Sequence, residues 1–162
     1  MNSYIKTMRD MIGTKPLLIC GASTIVARDG QILLQKRTDN GCWGYHGGCL
    51  ELGEHPEEGA RRELFEETGL ESEALKLFGI FSGPDQHFIY PNGDEVYVVD
   101  IVHVCRNFKG NPVADGIEVS ELKWFQYDEI PENLSPPVKE IIHEFIRSEL
   151  NIGDEWNRAK HV

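Results

Sequence analysis

Residues 47–70 read GGCLELGEHPEEGARRELFEETGL. Pro56 suits the first turn of a helix, Glu57 and Glu58 favour that end by their charge, and Gly69 supplies a stop after Thr68. A helix over about 56–68 follows. At roughly 100° per residue, Glu63, Glu66 and Glu67 share an arc of about 100°, while Ala60 and Leu64 lie beside it and face the core. Gly59 falls on the same stripe and is expected to leave open space above it. Three carboxylates in the last turns oppose the helix dipole at a cost of about 0.3–1 kcal/mol each, and their mutual repulsion adds to that. Most charge runs are solvated helix faces. Hard oxygen ligands crowded in this way also suit magnesium, which takes a few carboxylates together with waters and substrate phosphates.

Outward from this helix, LLICGASTIVAR and QILLQKR flank Asp29-Gly30 and read as a hairpin. HFIY and DEVYVVDIVHVC flank Asn92-Gly93 and read as a second, and LKLFGIFSG and LKWFQY add further strands. Tyr4, Ile5, Met8, Met11 and Ile12 recur at helical spacing before Gly13, predicting a short helix over about 3–12. Val138, Ile141, Ile142, Phe145 and Ile146 make one apolar face of a helix over about 136–150, with Ser135 as its N-cap and Pro136 in its first turn. The polar tail after Asn151 has no assignment. Hairpins with one inserted helix and helices at the ends predict an α+β fold, an α/β/α sandwich with a mixed sheet, and residues 1–162 read as a single domain.

The 162 residues hold 16 Lys and Arg against 27 Asp and Glu, a net charge of −11. That balance argues against a nucleic-acid binder with a basic face, and a polyanionic ligand would need a divalent cation to approach. Cys20, Cys42, Cys49 and Cys105 form no CxxC pair, so reduced thiols are expected. Neither a secretory signal nor a long apolar run is found, and the expected setting is the cytoplasm, with no membrane partner.

Gly48 is followed after five residues by Glu54 and after seven more by Arg62-Glu63-Leu64, with Glu66, Glu67, Gly69 and Leu70 completing the pattern. This is Gx5Ex7REUxEExGU, U being aliphatic, matched at every fixed position over 48–70. Average residue frequencies give such a match in about one window in a billion, which outweighs the solvated-face reading. The chain therefore resembles the Nudix hydrolases. YIKTMRDMIGTKPLLICGA before the box, and FSG, YPNGDEVYVVDIV and LSPP after it, resemble a bacterial MutT-like branch. His46 departs from the proline that many members carry before the double glycine, which frees a backbone N–H.

The resemblance implies a Nudix-type sandwich and Mg2+-dependent hydrolysis, with Mn2+ as substitute, of a pyrophosphate bond in a nucleoside diphosphate linked to another moiety. It implies Glu66 and Glu67 as core metal ligands, Glu63 as a further ligand or water-positioning group, and the Gly47 carbonyl as a backbone ligand beside Gly48. Arg62 and Glu54 would hold loop and helix together, Glu54 also within a water's reach of a metal. The proton acceptor is Glu118 or Glu121 on ADGIEVSELKWF, with Glu118 preferred, or else Glu63 or Glu67. His46 as a base near the phosphates is weighed against a structural role. Arg37 is ranked before Lys36 for the phosphates, since strand alternation points only one into the site. Phe81, Phe88, Tyr90 and Phe125 are stacking candidates for a nucleobase, weighed against the core and cross-strand packing usual for aromatics on strands.

Substrate selectivity is expected near residues 84–90 and 134–137. Pro84 lies where ADP-ribose-cleaving members often carry proline, and is equally a turn former. Nucleotide sugars, nucleoside triphosphates and dinucleoside polyphosphates all remain open. The competing reading is a non-catalytic Nudix-fold nucleotide sensor, and pairing into a homodimer is a further expectation from the family.

Overall fold

A computed structural model describes residues 3–159. Its centre is an eight-stranded sheet with the path β3 (Trp43–Gly44), β2 (Gln31–Arg37), β1 (Leu17–Arg28), β7 (Glu95–Lys109) and β5 (Glu71–Phe81), to which β4 (His46–Cys49) adds on β1, β6 (His87–Ile89) on β7 and β8 (Val119–Gln126) on β2. β1 (Leu17–Arg28) turns through Asp29 and Gly30, both at positive φ, into antiparallel β2 (Gln31–Arg37). β7 (Glu95–Lys109) lies parallel to β1, from Leu17 opposite Val96 to Val26 opposite Cys105. The sheet is therefore mixed, as the pattern of hairpins predicts.

Alternation along β1 sends Ile25 and Ala27 to one face and Val26 to the other. The first pair meets Ile141, Ile142 and Phe145 of α3 (Pro136–Ala159). Val26 meets Leu64 of α2 (Pro56–Thr68), with Leu33 and Cys105. Helices thus cover both faces, and each fully buried leucine such as Leu64 contributes about 1.5–3 kcal/mol. α1 (Ser3–Ile12) lays Ile5, Met8 and Ile12 over Leu17, Ile19 and Val96 at the start of β1 and β7.

Two short strands, β3 (Trp43–Gly44) and β4 (His46–Cys49), precede the acidic helix, where the resemblance implies a strand leading into the loop. Two features differ from the expected pattern. The second hairpin is lopsided: β6 (His87–Ile89) has three residues, and β5 (Glu71–Phe81) pairs with much of the rest of β7. α3 also runs past Asn151 to Ala159, whereas residues 160–162 of the polar tail lie outside the described residues.

Candidate active site

β4 runs antiparallel to β1, with Gly47 opposite Ser23 and Gly48 opposite Ala22, and the chain then loops back into α2. A Cβ on Gly48 would lie 2.5 Å from the Glu63 carboxylate, so only glycine admits this side chain against the strand. Gly59 does not leave open space, contrary to expectation: a Cβ there would stand 2.5 Å from Leu50 Cδ2 and 3.3 Å from Ala22 Cβ. Its missing side chain lets α2 sit close on the loop and on β1.

Arg62 organises the carboxylates. Its Nε and Nη2 donate to the two oxygens of Glu54 at 2.7 and 2.9 Å, and Nη1 donates to Glu63 Oε1 at 2.6 Å and to Glu66 Oε2 at 3.3 Å. Nη2 also reaches the Cys49 carbonyl at 3.2 Å, tying helix to strand. The hydrogen bond to Arg62 lowers the Glu54 carboxyl, whereas burial outweighs Arg62 and raises that of Glu63. Glu66 is the exposed member.

Glu67 is turned the other way and is only 4 % exposed. Its Oε2 accepts the Gly47 N–H at 3.0 Å, and the Gln35 side chain also hydrogen-bonds the carboxylate. Burial, with the charges of Glu63 and Glu118 adding to it, pushes Glu67 up to about 8 against those two hydrogen bonds. His46 Nδ1 lies 2.7 Å from Gln35 Oε1 and 3.9 Å from Glu67 Oε2. Complete burial drives the imidazole down to about 4, so it is neutral and its approach to Glu67 is no ion pair. The buried His46 Nε2 has no partner at hydrogen-bond geometry. His46 is therefore packed behind Glu67 and does not line the cavity beside β4.

A cavity of about 750 Å³ opens beside β4. Gly47, Gly48, Arg62, Glu63 and Glu66 line one end, and Arg37, Tyr90 and Glu118 also line it. Arg37 is locked by Asp39 through two hydrogen bonds of 2.9 and 2.7 Å, while Lys36 lies over the Trp43 ring. Glu118 is set by its loop: Asp115 Oδ1 accepts the N–H groups of Ile117, Glu118 and Val119, and Thr38 N–H donates to the Glu118 carbonyl. Glu121 sits on β8 (Val119–Gln126) opposite Lys36 and does not line the cavity.

The aromatic candidates separate in the same way. Tyr90 reaches the cavity, whereas Phe81 does not: its ring stacks on Phe78 and packs against the core under α3. Phe125 is core, edge-on to Trp43, and Phe88 packs edge-on to Tyr90 in the cluster beneath α1. Phe81, Phe88 and Phe125 thus take the packing role usual for aromatics on strands. Pro84 opens a 3₁₀ turn whose Gln86 donates to the Pro137 carbonyl at 2.7 Å, so the loops expected to give selectivity are tied together. Of residues 84–90 only Tyr90 lines the cavity.

Sequence reasoning missed three groups. Gln35 shares a face of β2 with Arg37 two residues on, a spacing that would have flagged it. Asp100 is buried and accepts from Ser23 Oγ at 2.7 Å and Tyr45 OH at 2.8 Å, a network no sequence pattern marks. Ile5 and Arg9 of α1 line the far part of the cavity.

Among the described residues, no three His, Cys, Asp or Glu groups gather as a ready ligand set for an ion. The expected convergence of Glu63, Glu66 and Glu67 is therefore not seen in this arrangement: the first two meet at Arg62 and the third turns under Gly47. The chemistry of the donors nonetheless fits a hard divalent ion, since all are carboxylate or carbonyl oxygens and Glu63 rests directly on the Gly48 backbone.

The family model described as NUDIX domain matches residues 20–145. A MutT-like protein of Streptomyces ambofaciens is 32% identical over 114 residues, 70% of this chain and 67% of that protein. An ADP-ribose pyrophosphatase of Methanocaldococcus jannaschii is 34% identical over 126 residues, 76% of this chain and 70% of that one. A crystal structure of a MutT NUDIX hydrolase from Burkholderia pseudomallei superposes with a TM-score of 0.67 at 28% identity, covering 78% of this chain and 97% of that one. With the box built as loop, strand and carboxylate-bearing helix around one cavity, the chain belongs to the Nudix hydrolases.

Proposed function

We propose that this Nudix hydrolase cleaves the pyrophosphate bond of a nucleoside diphosphate linked to another moiety, with Mg2+ bound at the Gly47–Gly48 end of the cavity and Mn2+ able to replace it. The observation that carries the reading is the joint placement of Glu63 and Glu66 with the Gly47–Gly48 backbone and Glu118 around one cavity. Hydrolases of this family generally use divalent metal ions. When bound, the ion neutralises phosphate charge and polarises the bond to be broken.

Glu63, Glu66, Glu67 and the Gly47 carbonyl are the proposed ligands, and Arg62 releases Glu63 and Glu66 to them while keeping Glu54. Arg37 binds phosphate oxygens. A water oxygen bonds to phosphorus as the bridging P–O bond breaks, and Glu118 accepts the water's proton. Glu118 is favoured over Glu121 because only Glu118 lines the cavity and its charge is felt by Glu63.

Relatives named for ADP-ribose and, in Bacillus subtilis, for 8-oxo-dGTP support a small nucleotide as substrate. A cytoplasmic setting is supported by four free cysteines and, among the described residues, by the lack of a helix long and apolar enough to cross a membrane. Pairing into a homodimer belongs to the same proposal and is read by analytical ultracentrifugation. The central test is a Mg2+-supplemented screen of nucleotide sugars, nucleoside triphosphates and dinucleoside polyphosphates with product identification. Release of a nucleoside monophosphate is expected, and no turnover of any of them would overturn the reading.

A further inference from the structure

The cavity is much longer than phosphate chemistry requires. Its far part is lined by Ile5 and Arg9 of α1, by Ile19 of β1 and by Val96 of β7, all outside the acidic box, and α1 and Ile19 precede the span matched by the family model. We propose that α1 is a wall of the substrate site and that this far part holds the flat ring of the substrate's nucleobase. The proposal deepens the function above and rests on it.

Strand β1 gives the ruler. Ser23 stands opposite Gly47 at the carboxylate end and Ile19 stands four residues earlier, about 13 Å at the rise of a strand. Cys49, opposite Gly21, lies between the two ends. That span matches the reach of one nucleoside monophosphate from phosphate to base, and a cavity of about 750 Å³ falls among those that enclose whole small ligands of about 300–1,000 Å³.

The chemistry of the far part selects a ring over a sugar or a second polyanion. Its surface is aliphatic where Ile5, Ile19 and Val96 meet Tyr90. The polar groups nearby serve one another. Arg9 donates to the carbonyls of Gly13, Lys15 and Glu95 at 3.1, 2.7 and 2.7 Å and lies 3.7 Å from Asp94, while Asp94 and Asn92 bond each other. A carbohydrate placed there would lose hydration without partners, whereas a base gains from burial and from the Tyr90 ring. Those same bonds pin α1 to the turn between β6 and β7, so the wall is held rigidly.

The test is calorimetry on the full chain with Mg2+, comparing inorganic pyrophosphate with ADP, GDP, CDP and UDP, for the wild type, Ile5→Trp to obstruct the far part and Ile5→Ala to widen it. At least one nucleoside diphosphate is expected to bind about tenfold or more tighter than pyrophosphate. Ile5→Trp should erase most of that margin and Ile5→Ala reduce it about threefold or more, while pyrophosphate affinity stays within about twofold in both. If Ile5→Trp lowers Tm enough to prevent folding, Ile5→Ala decides alone. A margin absent from the wild type, or untouched by the folded variants, overturns the α1 subsite while leaving the hydrolase reading intact. No binding of pyrophosphate or any nucleotide overturns both.

Discussion

A trio of carboxylates beside Gly47–Gly48 and a single buried carboxylate bonded to Ser23, the residue opposite Gly47, solve the same electrostatic problem differently. On the cavity side, Glu54, Glu63 and Glu66 share the single guanidinium of Arg62. Beneath, Asp100 is sealed from solvent and satisfied by two hydroxyl donors, Ser23 and Tyr45. A guanidinium is a partner that incoming cations can replace, because they supply the same charge. Neutral hydroxyls fixed in a dry interior cannot be exchanged in that way. The first cluster is thus suited to change state during turnover, and the second to keep one state throughout.

Substitutions should separate the two sharply. The largest effect is expected for Glu66→Gln, at the exposed carboxylate proposed above as a metal ligand: turnover should fall about 10³-fold with Tm nearly unchanged, read by steady-state kinetics and calorimetry. Next, Glu118→Gln should lower kcat about 10²-fold with KM little changed, while Glu121→Gln stays within about twofold of wild type. Full activity in both would move the base into the box. Arg62→Ala should cost about 10–100-fold in activity and lower the apo Tm, with added Mg2+ recovering more of that Tm than it adds to the wild type.

The smallest effect on chemistry belongs to the sealed cluster. Asp100→Asn should leave kcat within a few-fold but destabilise the fold by about 1–3 kcal/mol, because Asn offers one acceptor oxygen to two donors. Burial raises the Asp100 carboxyl above its ordinary 3.8. A raised acid contributes stability that is fully present below the unfolded value and is lost as pH rises through the folded one. The wild type's advantage over Asp100→Asn in urea melts should therefore shrink as pH rises from about 4 towards neutrality. A gap that widens instead would mean that the charged form is the one the interior favours.

What the sequence revealed follows the range of the interactions. The helix at Pro56–Thr68 and the turn at Asp29-Gly30 depend on residues close in sequence, and spacing captures them, whereas the Arg62–Glu54 pair is implied by the resemblance to the family. Lys36 and Arg37 separate by strand alternation, again a local rule. Phe81 packs on Phe78, whose ring in turn meets Phe145 of α3, far along the chain, so its sequence position could not show which way it faces. Gly59 was misjudged because Leu50 and Ala22 approach it from other elements. The part of the cavity beneath α1 was invisible for the same reason, since Ile5, Ile19 and Val96 meet only after folding.

The parallel pairing of β1 with β7 joins Leu17 to Val96, residues 79 positions apart (96 − 17). A nascent chain can coil its acidic helix soon after synthesis, but Ser23 acquires Asp100 and β1 its neighbour only once β7 has left the ribosome. The acidic segment is therefore made before the strand that completes the cavity, and a ribosome stalled ahead of residue 95 would carry the box without Val96 and its neighbours.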